Sequence, residues 1–301
     1  MNKSFFLFIC GFLICAVTMK VQAQVQEANS RYYRELQVDF QNGKYGLLFR
    51  NELVVPYEYD AIVAQKDNRG FISQQSDKYG IITVFIQYGD NTANMRQFSQ
   101  QRQYFFEEEG RGRKAKGVNL SVMDISCEYD EIEFTNGNYW VSKGGLKGVF
   151  TSGGGTILRC EFNDIKFTNG NYWISKGEQK GVFTSGGGTI LRCEFNDIKF
   201  TNGNYWAIKG DQKGVFTSGG GTILRCEFND IKFINGNYWA SKGNQKGVFT
   251  SGGGTILRCE FDKIELTSDN KYIAYKNGKK NLYSTGGALL HTGSDVIYST
   301  E

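Results

Sequence analysis

Residues 148–162 read GVFTSGGGTILRCEF, and the same fifteen letters return from Gly181, Gly214 and Gly247, a spacing of 33 residues each time. Self-similarity at a fixed period of this size marks a tandem array, in which each copy is one supersecondary unit that buries its apolar surface against its neighbours. Within a copy, NYWISK (Asn171–Lys176), GVFTS (181–185) and TILRCEF (Thr189–Phe195) are short, rich in β-branched and aromatic residues and bounded by glycine. That is the composition of strands. The link Gly177-Glu178-Gln179-Lys180 varies among the copies only at its two central residues, as a solvated hairpin tip does. The GGG run at 186–188 joins the next two strands, because glycine adopts the positive φ that tight turns demand. A phosphate cradle would need a following Lys-Ser/Thr and a helix. Neither follows.

Weaker relatives flank the four copies. Lys78-Tyr79-Gly80 echoes Lys44-Tyr45-Gly46, residues 118–132 read as a diverged copy, and Lys280-Asn281-Leu282-Tyr283-Ser284-Thr285-Gly286 repeats the pattern degenerately. Seven or eight copies result. The composition agrees: 301 residues with 38 glycines, one proline (Pro56) and 15% aromatic residues favour strands and turns over helices. The expected fold is all-β, with tandem copies of about 33 residues, each a β-hairpin with a third strand, stacked as an open array or solenoid. A seven- or eight-bladed β-propeller is the alternative; ordinary blades run ~40–50 residues.

Residues 1–23 read as a secretory signal, with Lys3 as the basic start, an apolar run from Phe5 to Met19 and Val21-Gln22-Ala23 as a small-residue cleavage site. The run is shorter than the ~20 residues a spanning helix needs, so no membrane span is expected after cleavage. Residues 24–35 form a polar linker, 36–85 diverged N-terminal copies, and 86–116 a charged insertion or one diverged unit. The near-identical copies occupy 117–268, and 269–301 is a degenerate C-terminal capping copy. The formal charge of +4 includes Lys3 and Lys20 of the leader, so the exported chain is near neutral. No general affinity for nucleic acid or an anionic membrane follows.

The least uniform copy, KYGLLFRNELVVPYEYDAI (44–62), resembles the bacterial WG-repeat, or KWG, family. That family's unit runs Lys-aromatic-Gly-apolar, a turn, an apolar pair before proline, then Tyr-Asp-x-Ile. The matches are Lys44-Tyr45-Gly46-Leu47, Val54-Val55-Pro56 and Tyr59-Asp60-Ala61-Ile62. Later copies drift: Lys180 replaces the aromatic residue before Gly181, Arg192-Cys193 stands where Pro56-Tyr57 did, and Phe195-Asn196-Asp197-Ile198 replaces Tyr-Asp-x-Ile. The likeness runs over roughly residues 36–300. It implies a tandem all-β array in a bacterial, often exported protein, with no general activity and no catalytic residues to carry over. Trp140, Trp173, Trp206 and Trp239 are not the family's motif tryptophan, since they lie in the preceding strand.

Two ladders of residues invite a functional reading. Cys127, Cys160, Cys193, Cys226 and Cys259 recur every 33 residues in a chain expected to be exported, where disulfides form. Alternation in LRCEF puts Cys193 on one side with Leu191 and Phe195, and Tyr57 fills the same place in the first copy, so buried thiols are the preferred reading. Inter-repeat disulfides are the second, and metal the last, for want of a neighbouring histidine or second cysteine. The other ladder is NYW. Tyr172 and Ile174 share one side of their strand and Trp173 falls on the other. Four exposed indoles with Lys143, Lys176, Lys209 and Lys242 would make a stripe that stacks on sugars or anchors a protein. The competing reading has the tryptophans cover the opposite face of a two-layer array.

An enzyme is not expected. His291 is the only histidine, no Gly-x-Ser-x-Gly motif occurs, and the carboxylates recur with the repeat instead of converging once. No cofactor or metal is expected. The sequence reads as an exported, non-enzymatic repeat scaffold of the periplasm, cell surface or medium that holds a protein or glycan along a repeated surface. A structural spacer of the cell envelope is the alternative.

Overall fold

A computed structural model describes residues 35–65, 70–88, 101–106 and 118–293. They form strands and turns, with no α-helix among them. The chain divides into two compact bodies, residues 1–163 and 164–301.

In the second body the repeat is a four-stranded antiparallel meander. Its first example has strands Asp164–Thr168, Asn171–Lys176, Gln179–Thr184 and Thr189–Phe195, hydrogen-bonded in chain order. The same sheet recurs over 197–228 and 230–261, and the body closes on a fourth sheet over 263–292. Three strands per copy is therefore one too few. The missed strand, DIKFT, carries only two apolar residues and follows an Asn-Asp pair that reads as a turn. It is made into a strand by the hairpin at Asn169-Gly170, whose φ values of 53° and 76° are those of a tight two-residue turn.

The sheets over 197–228 and 230–261 are covered on both faces, and this decides where their apolar side chains go. In one cross-strand row Ile165 faces Ile174 and Phe167 faces Tyr172; in the other Lys166, Trp173, Val182 and Leu191 line up. The second row packs on the first row of the following repeat, giving a core of Val182, Leu191 and Phe195 against Ile198, Tyr205 and Ala207. The same core recurs one repeat on, and again against Ile264, Tyr272 and Ala274. Each large side chain so buried contributes about 1.5–3 kcal/mol. Almost all of that lies between repeats, so a single repeat has no core of its own and the body is stable only as a stack.

The GGG turn follows the same logic. Thr217 anchors it: its N–H donates to the Gly221 carbonyl at 2.7 Å, and its Oγ1 accepts the Gly221 N–H at 2.9 Å. Of the three glycines only the middle one has positive φ, 87° at Gly220. All three were expected to.

The first body holds a three-stranded sheet (Leu36–Gln41, Lys44–Phe49, Glu52–Tyr59) and a four-stranded sheet spanning Glu131–Thr135, Asn138–Lys143, Leu146–Thr151 and Thr156–Phe162. Between them in sequence is a five-stranded sheet, in the order Ala61–Ala64, Gly70–Gln75, Lys78–Tyr88, Val118–Tyr129, Gln101–Phe106. Residues 118–132 are thus not a copy of their own. Val118–Tyr129 closes the sheet begun at Ala61, pairing Tyr129 with Tyr79 and Met123 with Thr83. Part of the charged 86–116 segment adds the outermost strand, Gln101–Phe106, while 89–100 and 107–116 lie outside the described residues, as does the leader at 1–23. Among the described residues every strand pairs only within its own sheet, so no barrel closes by strand pairing.

Candidate functional site

The NYW motif lies between repeats. Asn171 Nδ2 donates to the Tyr205 hydroxyl of the following repeat at 3.0 Å, and Asn204 to Tyr238 and Asn237 to Tyr272 do the same at 3.0 and 2.9 Å. Trp173 meets the Tyr205 ring edge-on at 5.7 Å, with Trp206–Tyr238 and Trp239–Tyr272 at 5.7 and 5.8 Å. Burial pushes the Tyr205 and Tyr238 hydroxyl pKa values up, and the asparagine amide donated to each partly offsets it. Trp140, Trp173, Trp206 and Trp239 are half-buried. The Nε1 atoms of Trp173 and Trp206 are closed from solvent and have no hydrogen-bond partner. Period-2 alternation correctly puts the indole opposite the tyrosine. That side is the next repeat's side, because the sheet is sandwiched.

Of the neighbouring lysines, Lys143, Lys209 and Lys242 reach the preceding repeat, with Nζ 2.7, 3.0 and 3.6 Å from Glu128, Glu194 and Glu227; Lys176 is exposed. Such exposed pairs are worth about 0–1 kcal/mol each. A second lysine series explains the lysine that opens the WG-repeat motif and the aspartate near its end. Lys44 Nζ lies 2.6 Å from Asp60 Oδ1, and the other oxygen of Asp60 accepts the N–H of Ser76 at a hairpin tip, also at 2.6 Å. Asp130 does both jobs for Lys78 and Gly144. In the near-identical copies the jobs are divided: Asn196 Oδ1 takes the Gly210 N–H at 2.7 Å, and Asp197 pairs with Lys180 at 2.6 Å.

The five ladder cysteines, Cys127, Cys160, Cys193, Cys226 and Cys259, are free thiols of intermediate burial. They do not share a face with the leucine and phenylalanine of their strand. Between Lys213↔Phe228 and Val215↔Leu224 the register slips, leaving Arg225, Cys226 and Glu227 opposite Gly214 alone. The bulge turns Cys226 back over Gly214, onto the core shared with the preceding repeat, whereas Leu224 and Phe228 face the following one. A β-carbon on Gly214 would stand 2.7 Å from the sulfur, so the glycine makes room for the thiol. Desolvation raises the pKa of Cys127, Cys160, Cys226 and Cys259. A raised pKa leaves these four thiols little of the reactive thiolate at neutral pH.

What lies open is a ladder the sequence reading missed. Phe167, Phe200 and Phe233, in the first strand of successive repeats, are 39, 40 and 40% exposed. Each is tilted against its own tyrosine, Tyr172, Tyr205 or Tyr238, at 4.7–4.8 Å between ring centres. The strand is an edge of its sheet, and Lys166, Lys199 and Lys232 are exposed on its opposite side, in the row of the tryptophans. The signal was present as DIKF at 33-residue spacing, hidden because the segment did not read as a strand. Among the described residues no three of His, Cys, Asp and Glu converge to hold a metal ion, and His291 is exposed.

Fold and repeated faces together define an all-β tandem-repeat protein built of antiparallel meanders. Residues 125–146 match the model of the WG containing repeat, which supports a WG-repeat protein. No curated protein matches the chain. Among solved structures it is similar to Kluyveromyces lactis Hsv2, at 12% identity over 72% of this chain and 70% of that one, with a TM-score of 0.23. It is also similar to the extracellular domain of a one component system from B. thetaiotaomicron, at 11% identity over 89% of this chain and 48% of that one, with a TM-score of 0.21. Similarity at this level assigns neither fold nor function.

Proposed function

We propose that the chain is a non-enzymatic, exported repeat scaffold that holds a protein or glycan along a repeated surface. The observation that carries this is the open Phe167, Phe200, Phe233 ladder, placed at the same point of successive repeats along an edge strand. A repeated row of open aromatic rings supplies flat apolar area at low entropic cost, as binding surfaces do, and Lys166, Lys199 and Lys232 leave the strand from its other side. The accessible parts of Trp140, Trp173, Trp206 and Trp239, with Lys143, Lys176, Lys209 and Lys242, would widen that surface. The leader at 1–23 supports export.

The test uses the full chain, a chain lacking residues 197–229 and the triple variant Phe167→Ser/Phe200→Ser/Phe233→Ser, each against immobilised peptidoglycan sacculi and cell-surface protein. Graded loss with the deletion and near-complete loss with the triple variant support the reading. Binding indifferent to both returns the chain to a spacer. The spacer reading has its own support: asparagine, tryptophan, cysteine and both lysine series are all engaged in holding repeats together.

A further inference from the structure

The last two sheets of the second body, 230–261 and 263–292, enclose a cleft of about 80 Å³ walled by Asn235, Asn237, Trp239, Asn270, Tyr272 and Thr285. It belongs to one step of the array, and the sequence shows why. Where earlier repeats put a phenylalanine on their tyrosine, this one has the smaller Leu266, which lines the cleft. Its first hairpin, Ser268-Asp269-Asn270-Lys271, is one residue longer than Asn202-Gly203-Asn204. Thr285 replaces the serine of the glycine turn. A smaller side chain and a longer turn open space that the identical copies fill.

The walls are neutral. No lysine, arginine or carboxylate lines the cleft, so a phosphate or carboxylate finds no cation there and an amine finds no anion. Asn237 and Tyr272 are bonded to each other, which leaves the amides of Asn235 and Asn270 and the Thr285 hydroxyl, groups that both donate and accept, with Ile234 and Leu266 as apolar wall. Trp239 adds an indole whose Nε1 is not sealed, unlike that of Trp173 and Trp206, on a ring held edge-on to Tyr272 at 5.8 Å. Neutral hydrogen-bonding groups around an aromatic wall complement a ligand with hydroxyls at its rim and an apolar C–H face. We propose that this cleft is a binding site for a neutral saccharide, taking the edge of one pyranose ring whose remainder stays in solvent. The short, three-turn enclosure favours a sugar ring over an extended peptide, which needs a groove along a strand.

The site shares only Trp239 with the repeated surface, and its test separates the two. The full chain is titrated with cellotetraose, chitotetraose and mannotetraose, followed by tryptophan fluorescence and by heat. One site per chain is expected for at least one of them, at about 1 mM or tighter. Trp239→Phe keeps an aromatic ring but loses the N–H, and should weaken binding about fivefold or more; Thr285→Val should weaken it too. Trp206→Phe, where the N–H is sealed, and deletion of 197–229 should leave it unchanged. The inference is overturned if no saccharide binds, if binding survives both Trp239→Phe and Thr285→Val, or if the deletion abolishes it. It is equally overturned if acetyl-Ser-Gly-Ser-Gly-amide binds and the sugars do not. Matching denaturation midpoints establish that each variant is folded.

Discussion

Gly220 sits so close to the carbonyl of Ile190 in the preceding repeat that a β-carbon there would stand 2.2 Å from the oxygen. Gly253 on Ile223 and Gly287 on Ile256 repeat the contact at 2.2 and 2.1 Å. The middle glycine thus serves two ends, a positive φ within its turn and close approach between repeats. Gly219 meets nothing within 4 Å and has no positive φ. Gly220→Ala is therefore expected to cost about 2–3 kcal/mol, from backbone strain and the displaced neighbour. Gly219→Ala should be neutral or slightly stabilising. Urea denaturation midpoints decide it; equal midpoints for the two variants would show that the turn does not dock on the repeat before it.

The Asn204–Tyr238 hydrogen bond joins two repeats and no other part of either side chain's strand needs it. Asn204→Ala and Tyr238→Phe should each lower stability by about 1 kcal/mol, and the double variant by little more than either alone. A double-mutant cycle giving additive losses would remove the bond from the account. Trp206→Phe tests the other half of the motif. It gives up area but also a sealed N–H without a partner, so its cost should fall below the 3–5 kcal/mol of an aromatic deletion in a core.

How far the sequence reaches can be argued from these residues. The strands carrying Trp173, Val182 and Leu191, and the turns between them, were legible because glycine and β-branched residues mark them locally. The strand at Asp164–Thr168 was not, since its pairing with Asn171–Lys176 comes from the Asn169-Gly170 turn and not from its own composition. Side assignments fell short in two physically different ways. For Trp173 the alternation was right but left the environment open between a solvated stripe and a covered face, because alternation cannot tell a solvated face from one covered by another sheet. For Cys226 the alternation itself broke at a bulge, where three residues oppose one. The cleft at Trp239 escaped because it depends on small departures, Leu266 and one inserted residue, that look like decay of the repeat.

The cysteines give a chemical check on the bulge. With the Cys160, Cys226 and Cys259 thiols turned over a glycine and desolvated, their labelling by a maleimide at pH 7 should be slow in the folded protein. It should run to completion in denaturant without any reductant. Cys226→Ser should cost about 1 kcal/mol, since the hydroxyl is smaller and enters an apolar setting. Gly214→Ala should cost more, because its β-carbon would meet the sulfur and the Cys226 backbone N at 2.7 and 2.8 Å. Rapid labelling of the native chain would put the thiols on the outer side and defeat the assignment.

The Lys–Asp series fixes how stability depends on acid. Hydrogen bonds from Lys180 and Lys213 hold the Asp197 and Asp230 carboxyls below their usual range, and Lys44 and Lys78 do the same for Asp60 and Asp130. A carboxyl depressed in the folded state stabilises above its unfolded value, near pH 4, and the contribution disappears as pH falls through the folded value. The denaturation midpoint should accordingly be flat from about pH 5 to 7 and drop below about pH 4. Because the Lys180–Asp197 side chains are 48 and 35% exposed, solvent screening limits each pair to about 1 kcal/mol or less. Asp197→Asn is expected to lower stability by that amount at pH 7 and by less at acid pH, once the pH has fallen through the folded value and the aspartate is protonated. An equal loss under both conditions would assign Asp197 a packing role and remove the ion pair as the reason for the Lys-and-Asp pattern of the repeat.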